Sequence, residues 1–136
     1  MPRPETTIPY APIRRHAIIG DRRTAALVAA DGTIDWMCLP DYGGEPAFAA
    51  LLDARRGGYF RFGPRARAWG TQRYVDGTAV VETRTSVAGG ELVAQDAMPL
   101  PDDVRPEGAE GHRVVLRRLV STGSRVACLL DLQPRR

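Results

Sequence analysis

The stretch GDRRTAALVAADGTIDWMCLP, residues 20–40, constrains the fold of this chain more than any other. It predicts two apolar strands around a tight turn. Asp31-Gly32 suits a two-residue type I′ turn, in which both central residues take φ > 0. That turn sets a register: Ala30 opposite Thr33, Ala29 opposite Ile34, Leu27 opposite Trp36 and Ala25 opposite Cys38. Side chains alternate faces along a strand. One face then carries Ala25, Leu27, Ala29, Ile34, Trp36 and Cys38, and is the expected core face. The other carries Thr24, Ala26, Val28, Ala30, Thr33, Asp35 and Met37. That second face is small and mostly apolar, whereas a wetted antiparallel sheet alternates more cleanly. Its expected role is contact with another domain or chain.

The rest of the chain adds mostly strands. In PAFAALLDARRGG, Pro46 suits a first helical turn and Gly57 the residue past the end. Phe48, Leu51 and Leu52 fall at i, i+3 and i+4, so one short helix of two to three turns is expected. GYFRFG alternates as a strand, with Phe60 and Phe62 on one side and Tyr59 and Arg61 on the other. Residues 78–98 predict a second hairpin around Gly89-Gly90, pairing Val87 with Leu92, Thr85 with Ala94 and Thr83 with Asp96. PLPDDVRPEGAEG, residues 99–111, predicts a long surface loop. HRVVLRRLVS and RVACLLDLQP predict two further strands joined around Thr122-Gly123. Residues 1–15 form a proline-spaced, extended lead-in, and residues 16–136 one domain. At least seven strands and one short helix give an all-β fold, an antiparallel β-sandwich. The chain stops at LLDLQPRR, straight after a strand, which is the pattern expected of part of a larger protein.

Composition narrows the function classes. With 43% hydrophobic and 26% charged residues, the chain is of ordinary globular type. No apolar run suits a membrane helix, and the first residues lack the apolar core of a signal peptide, so a cytoplasmic location is expected. The net charge is +3, and every basic residue is arginine. The arginine pairs are scattered rather than concentrated on one element, which argues against nucleic-acid binding. Cys38 and Cys128 sit in apolar runs and are expected to be buried, reduced thiols. His16 and His112 are isolated, and no close set of ligands suggests a metal or cofactor.

Neither a nucleophile elbow nor a phosphate-binding glycine loop occurs. Asp35, Asp41, Glu45, Glu82 and Asp96 are the carboxylates worth weighing, because glycoside hydrolysis needs two carboxyl groups at a set separation. Glu82 and Asp96 fall on opposite faces of the second hairpin. Asp41 and Glu45 share a loop near Trp36 and Tyr42, which reads either as a sugar-contacting loop or as a solvated turn with Glu45 near a helix start. The second reading is the more economical one.

These residues resemble a family. IGDRRTAALVAADGTIDWMCLPDYGGEPAFAALLD is similar to the opening of glycoside hydrolase family 15 proteins of the bacterial trehalase and glucoamylase-like type. GGYFRFGP, YVDGTAVVETRTSVAGGELVAQDAMP and HRVVLRRLVSTGSRVACLLDLQPR resemble the segments that follow. The resemblance implies a supersandwich-like N-terminal β-sandwich, which in the family precedes a catalytic α/α barrel. Both catalytic glutamates belong to that barrel, so no residue here inherits a catalytic role. The family's RFDSP becomes Asp41-Tyr42-Gly43-Gly44-Glu45-Pro46, and Asp21 and Arg23 match its GD-x-RT motif. The resemblance thus implies an Asp–Arg structural role for Asp21 and Arg23 at a strand start, and Asp31 and Gly32 complete the structural motif at the turn. It leaves Trp36, Asp41, Tyr42 and Glu45 as a loop next to the substrate side.

The leading expectation is a non-catalytic domain that packs on and stabilises an α/α barrel in the same or a separate chain. Two others stand beside it. A free-standing carbohydrate-binding module would present Trp36, Tyr42, Tyr59 and Trp69 to an α-glucan or trehalose. A self-associating β-protein would pair copies through an exposed apolar sheet face.

Overall fold

The computed structural model describes residues 9–100 and 113–135, and these form two packed antiparallel sheets. A 3-10 turn at Ile13–Arg15 leads into β1 (His16–Gly20), β2 (Ala25–Ala29), β3 (Thr33–Leu39), β4 (Glu45–Phe48) and β5 (Tyr59–Pro64). Then follow β6 (Thr71–Tyr74), β7 (Val81–Val87), β8 (Gly90–Ala97), β9 (Leu116–Gly123) and β10 (Cys128–Gln133). The first sheet runs β1-β2-β3-β5-β10, with β4 also paired to β3. The second runs β6-β7-β8-β9. The all-β sandwich expected from the sequence is therefore what forms. The loop expected at 99–111 falls mostly outside the described residues, as do residues 1–8 of the lead-in and His112.

The first hairpin forms, but its turn is longer than predicted. The Gly32 N–H donates to the Ala29 carbonyl at 2.9 Å, closing a three-residue loop of Ala30, Asp31 and Gly32. Gly32 has φ +88, and Asp31 stays outside the left-handed region. Leu27 does face Trp36, but a bulge follows, so that Val28 rather than Ala29 faces Ile34. An extra residue in one strand reverses the faces beyond it. Ile34 therefore joins Ala26, Val28 and Met37 in the core, with Ile19, Val81 and Met98. The expected faces are inverted: Ala26–Val28–Met37 is the interior of the sandwich, while Leu27 and Trp36 lie half-buried on the outer face. The Leu51 N–H donates to the Asp35 carbonyl, and the Ala54 N–H to the Tyr10 hydroxyl.

The helix expected from Pro46 onward does not form. Glu45–Phe48 is β4, which pairs Met37 with Phe48 and Leu39 with Glu45. Phe48 packs against the core from that strand, whereas Leu52 is 75% exposed. An isolated helix of two to three turns is marginal, and pairing with β3 wins over a weak amphipathic stripe. Gly57 has a different task from ending a helix. A Cβ there would lie 2.2 Å from the Ala49 carbonyl, so the glycine lets two backbones meet. The Ala49 N–H donates to the Gly57 carbonyl at that point.

The second hairpin turns at Ala88-Gly89, so that Val87 faces Gly90 and Thr85 faces Leu92. This is a slip of two from the expected register, and a slip of two preserves the faces. Val81 faces Asp96 and Glu82 faces Gln95, which keeps Glu82 and Asp96 on opposite faces. Cys38 is buried as expected, but Cys128 is exposed. It lies on the edge strand β10, where no further strand covers it.

One polar side chain crosses the apolar interior. Arg117 of β9 is 4% exposed, and its Nε–H donates to Asp96 Oδ1 at 2.8 Å. Its other nitrogens donate to the Phe60 carbonyl at 2.9 Å and the Gly32 carbonyl at 2.6 Å. The guanidinium also lies over the Phe60 ring, 4.8 Å from its centroid. The pair thus ties the second sheet to a β5 carbonyl and to the β2–β3 loop of the first. Removing one partner of a buried pair strands the other charge. Arg117→Ala is expected to lower the unfolding free energy in urea melts by about 3–5 kcal/mol. Arg118→Ala, on the exposed face of the same strand, is expected to change it by less than about 0.5 kcal/mol.

Candidate functional site

The buried carboxylates of the chain are held by specific partners. Asp21 accepts the N–H groups of Arg23 and Thr24 at 2.9 Å each, with the intervening Arg22 at φ 72. This closes the β1–β2 connection that the GDRRT motif encodes. The guanidinium that approaches Asp21 is that of Arg113, at 3.6 Å; the Arg23 side chain is exposed, and its carbonyl accepts the Tyr42 N–H. Asp31 accepts the Thr33 N–H at 3.1 Å and the Arg67 Nε–H at 2.6 Å. Glu82 is gripped by Arg73, Arg84 and Gln95. Hydrogen bonds from Gln95 and then Arg84 hold its carboxyl below the usual range, so it stays charged and does not act as an acid near neutral pH.

The exit of the first hairpin is open. Asp41 is exposed and accepts the Gly43 N–H at 2.9 Å, an Asx turn. Tyr42 is 57% exposed. Glu45 extends into solvent and pairs with Arg135 at 2.8 Å. Trp36 stays in β3, half-buried opposite Leu27. The loop thus holds Asp41 and Glu45 a few residues apart, but Asp41 is engaged within its own turn and Glu45 by Arg135. The aromatic set Trp36, Tyr42, Tyr59 and Trp69 is not one platform. Tyr59 is 3% exposed and donates its hydroxyl proton to Asp131 at 2.7 Å. Trp69 lies under the guanidinium groups of Arg15 and Arg67, at 4.8 and 4.5 Å. Burial, and then the charge of Glu45, push the Cys38 thiol up, so it stays protonated.

A cleft of about 440 Å³ lies between the lead-in, β1 and β6. Arg14, Arg15, His16, Gln72, Arg73 and Tyr74 supply its polar lining. One of its lining residues, His16, belongs to a pair that the sequence does not announce. His16 Nε2 is 2.6 Å from Asp35 Oδ2, and Nδ1 is 3.0 Å from the Pro12 carbonyl. A carbonyl only accepts, so Nδ1 carries a proton, and Nε2 donates to a carboxylate. His16 is therefore an imidazolium, raised from its ordinary value first by the Asp35 hydrogen bond. Asp35 is the residue the β3 bulge turns outward, which no local pattern in the sequence announces. The two lie 19 residues apart. The cleft offers cationic and hydrogen-bonding groups rather than two facing carboxyls, so it can bind polar groups but does not resemble a hydrolytic centre. Among the described residues, no group of three or more His, Cys, Asp or Glu could hold a metal ion, and no helix is long and apolar enough to cross a membrane.

Residues 8–129 match the family model described as trehalase-like, N-terminal. A trehalase from Thermoplasma volcanium is 36% identical over 110 residues, covering 78% of this chain and 18% of the relative. A trehalase from Mycolicibacterium smegmatis is 31% identical over 138 aligned positions, covering 93% of this chain and 20% of the relative. One from Mycobacterium tuberculosis is 33% identical over 91 residues, covering 66% and 13%. The chain thus spans about a fifth or less of the curated relatives it matches. No solved structure matches it.

The His16–Asp35 pair gives the domain a pH signature. A histidine whose folded pKa is raised contributes stability that is complete below its unfolded value, about 6.5, and lost as pH rises through the folded value. The melting temperature is expected to fall as pH rises above about 6.5, and Asp35→Asn is expected to flatten that fall. A wild-type melting temperature that stays level across this window would show that the pair does not form.

Proposed function

The chain belongs to the trehalase-like, N-terminal family, and from that premise we propose that it serves as the non-catalytic β-sandwich of a glycoside hydrolase family 15-type enzyme. In this reading it docks on and stabilises a catalytic α/α barrel that cleaves α-glucosidic bonds. One observation carries the reading: the chain aligns with about a fifth of trehalase-length proteins, while its buried carboxylates are each bound into the fold. Asp35 is held by His16, Asp96 by Arg117, Asp31 by Arg67 and Glu82 by Arg73 and Arg84. A general acid needs a proton near neutral pH, and a general base needs a free lone pair facing substrate. Carboxylates locked to arginine or to a histidine imidazolium supply neither.

The residues Trp36, Asp41, Tyr42 and Glu45 remain the proposed contact with the substrate side of the assembled enzyme, through the exposed Asp41–Glu45 loop. Asp21, Asp31 and Gly32 support that loop indirectly, by fixing both ends of the β2–β3 hairpin, and Arg23 through its carbonyl bond to the Tyr42 N–H.

Two measurements test this reading. The purified 136-residue chain is expected to release no glucose from trehalose, maltose or dextrin. The trehalase of Mycolicibacterium smegmatis is expected to lose activity when its matching segment is deleted, and to regain it when this chain replaces that segment. Turnover by the isolated chain, or a chimera no better than the deletion, would remove the basis of the proposal.

A further inference from the structure

The two sheets are ordered alike, and one side of the sandwich is closed while the other is open. On the closed side, β6 of the second sheet is tied to β1 and β2. The Tyr74 hydroxyl donates to the Ile18 carbonyl at 2.8 Å and accepts the Ile18 N–H at 3.2 Å, which caps the free edge of β1. Gln72 reaches the Val28 carbonyl at 3.0 Å. On the other side, Arg117 sets β9 over β5, and β10 lies one strand beyond β5. The first sheet therefore extends one strand further than the second.

The consequence shows in exposure. Leu130 faces Phe62 and Leu132 faces Phe60, so both stand on the inner face of the first sheet, where Phe60 packs on the core. Inner-face leucines should be covered, yet Leu130 is 62% and Leu132 52% exposed. Edge strands are ordinarily blunted by charge, proline or a bulge. β9 (LRRLVSTG) and β10 (CLLDLQ) have neither proline nor bulge and pair regularly on their inner sides, and of their charges Arg117 is drawn inside onto Asp96.

We infer that the β9 edge is a strand-addition site, and that its occupant is an extended segment from the remainder of a trehalase-length polypeptide. A fifth strand hydrogen-bonded to β9 lies directly over β10 and covers Leu130 and Leu132. Main-chain hydrogen bonds supply the affinity, and side chains at alternate positions meet the leucines. The segment that fits carries apolar residues on that face. The relatives have the chain to provide it, since about four-fifths of their length lies outside the match. This rests on reading the chain as the N-terminal domain of a trehalase-type enzyme. It also moves the docking surface away from the Ala26–Val28–Met37 face, which is core.

The test uses the isolated chain and the Mycolicibacterium smegmatis chimera, compared by hydrogen exchange. In the isolated chain, the backbone amides of β9 that point away from β8 are expected to exchange rapidly. In the chimera they are expected to slow at least about 100-fold. Leu130→Lys with Leu132→Lys is expected to leave the isolated chain's melting temperature unchanged, because both side chains are solvated there. In the chimera the same pair is expected to abolish the added protection and lower the melting temperature by about 5 °C or more. Ile13→Lys, an exposed residue on the lead-in, is expected to do neither. An active chimera with unprotected β9 amides and a tolerated lysine pair overturns this inference alone. An inactive chimera with protected amides overturns the functional proposal and leaves strand addition standing. Loss of both activity and protection overturns both. Protection that appears in the isolated chain only as it dimerises assigns the edge to a second copy and overturns the occupant named here.

Discussion

The Arg117–Asp96 pair is the constraint around which the sandwich is organised. A guanidinium presents five donors in a rigid planar fork. Here the fork is divided among a carboxylate on the second sheet and carbonyls of Phe60 and Gly32 on the first. A buried charge is tolerated only with such partners. The spacing and lateral offset of the two sheets must therefore be the ones that let all three bonds form. The offset then decides which strands are covered: β6 lands on β1, β9 on β5, and β10 is left outside. The same constraint reaches the first hairpin. The Gly32 carbonyl accepts both the Arg117 proton and the Phe62 N–H at 3.1 Å, and a Cβ at residue 32 would come within 2.4 Å of the Phe62 carbonyl. Glycine stands there for the approach as well as for its φ.

Fold class was legible because alternation survives errors of detail. The second hairpin illustrates this: misplacing its turn by one residue slipped the register by two, which changed every pair and no face. The first hairpin was less forgiving. Asp31-Gly32 marked the turn and Leu27 does face Trp36, but the side with the larger side chains is not the interior; the added loop residue and the bulge move only Ile34, which joins Ala26, Val28 and Met37 inside. The bulge is fixed by the requirement that Ile34 join Val28 against the other sheet, and that requirement appears only when both sheets are present. The apolar stripe of Phe48, Leu51 and Leu52 suggested a helix because i, i+3, i+4 spacing also occurs by chance in short segments. The free edge of β3 beside Met37–Leu39 drew the segment into β4 instead.

The polar contacts were the least legible part. Arg117 sits in one of several arginine pairs, and nothing local separates it from Arg118 beyond its inward place in the alternation of β9. His16 and Asp35 meet only because β1 and a bulged β3 flank β2. The Asp21 turn was readable from GDRRT itself, since Asx turns are local, whereas its long-range partner Arg113 was not. The exposed loop residues Asp41 and Tyr42 lie where the sequence put them.

What unites these features is a domain whose buried ionised residues are each bound into the architecture. The sharpest probe of that architecture is the Arg117 side chain itself. Its guanidinium protons can be followed by nitrogen-15 NMR at neutral pH and moderate temperature. The account requires separate, slowly exchanging Nε and Nη signals with cross-relaxation to Phe60 and Gly32. A single averaged signal exchanging with water, as for an exposed arginine, would contradict it.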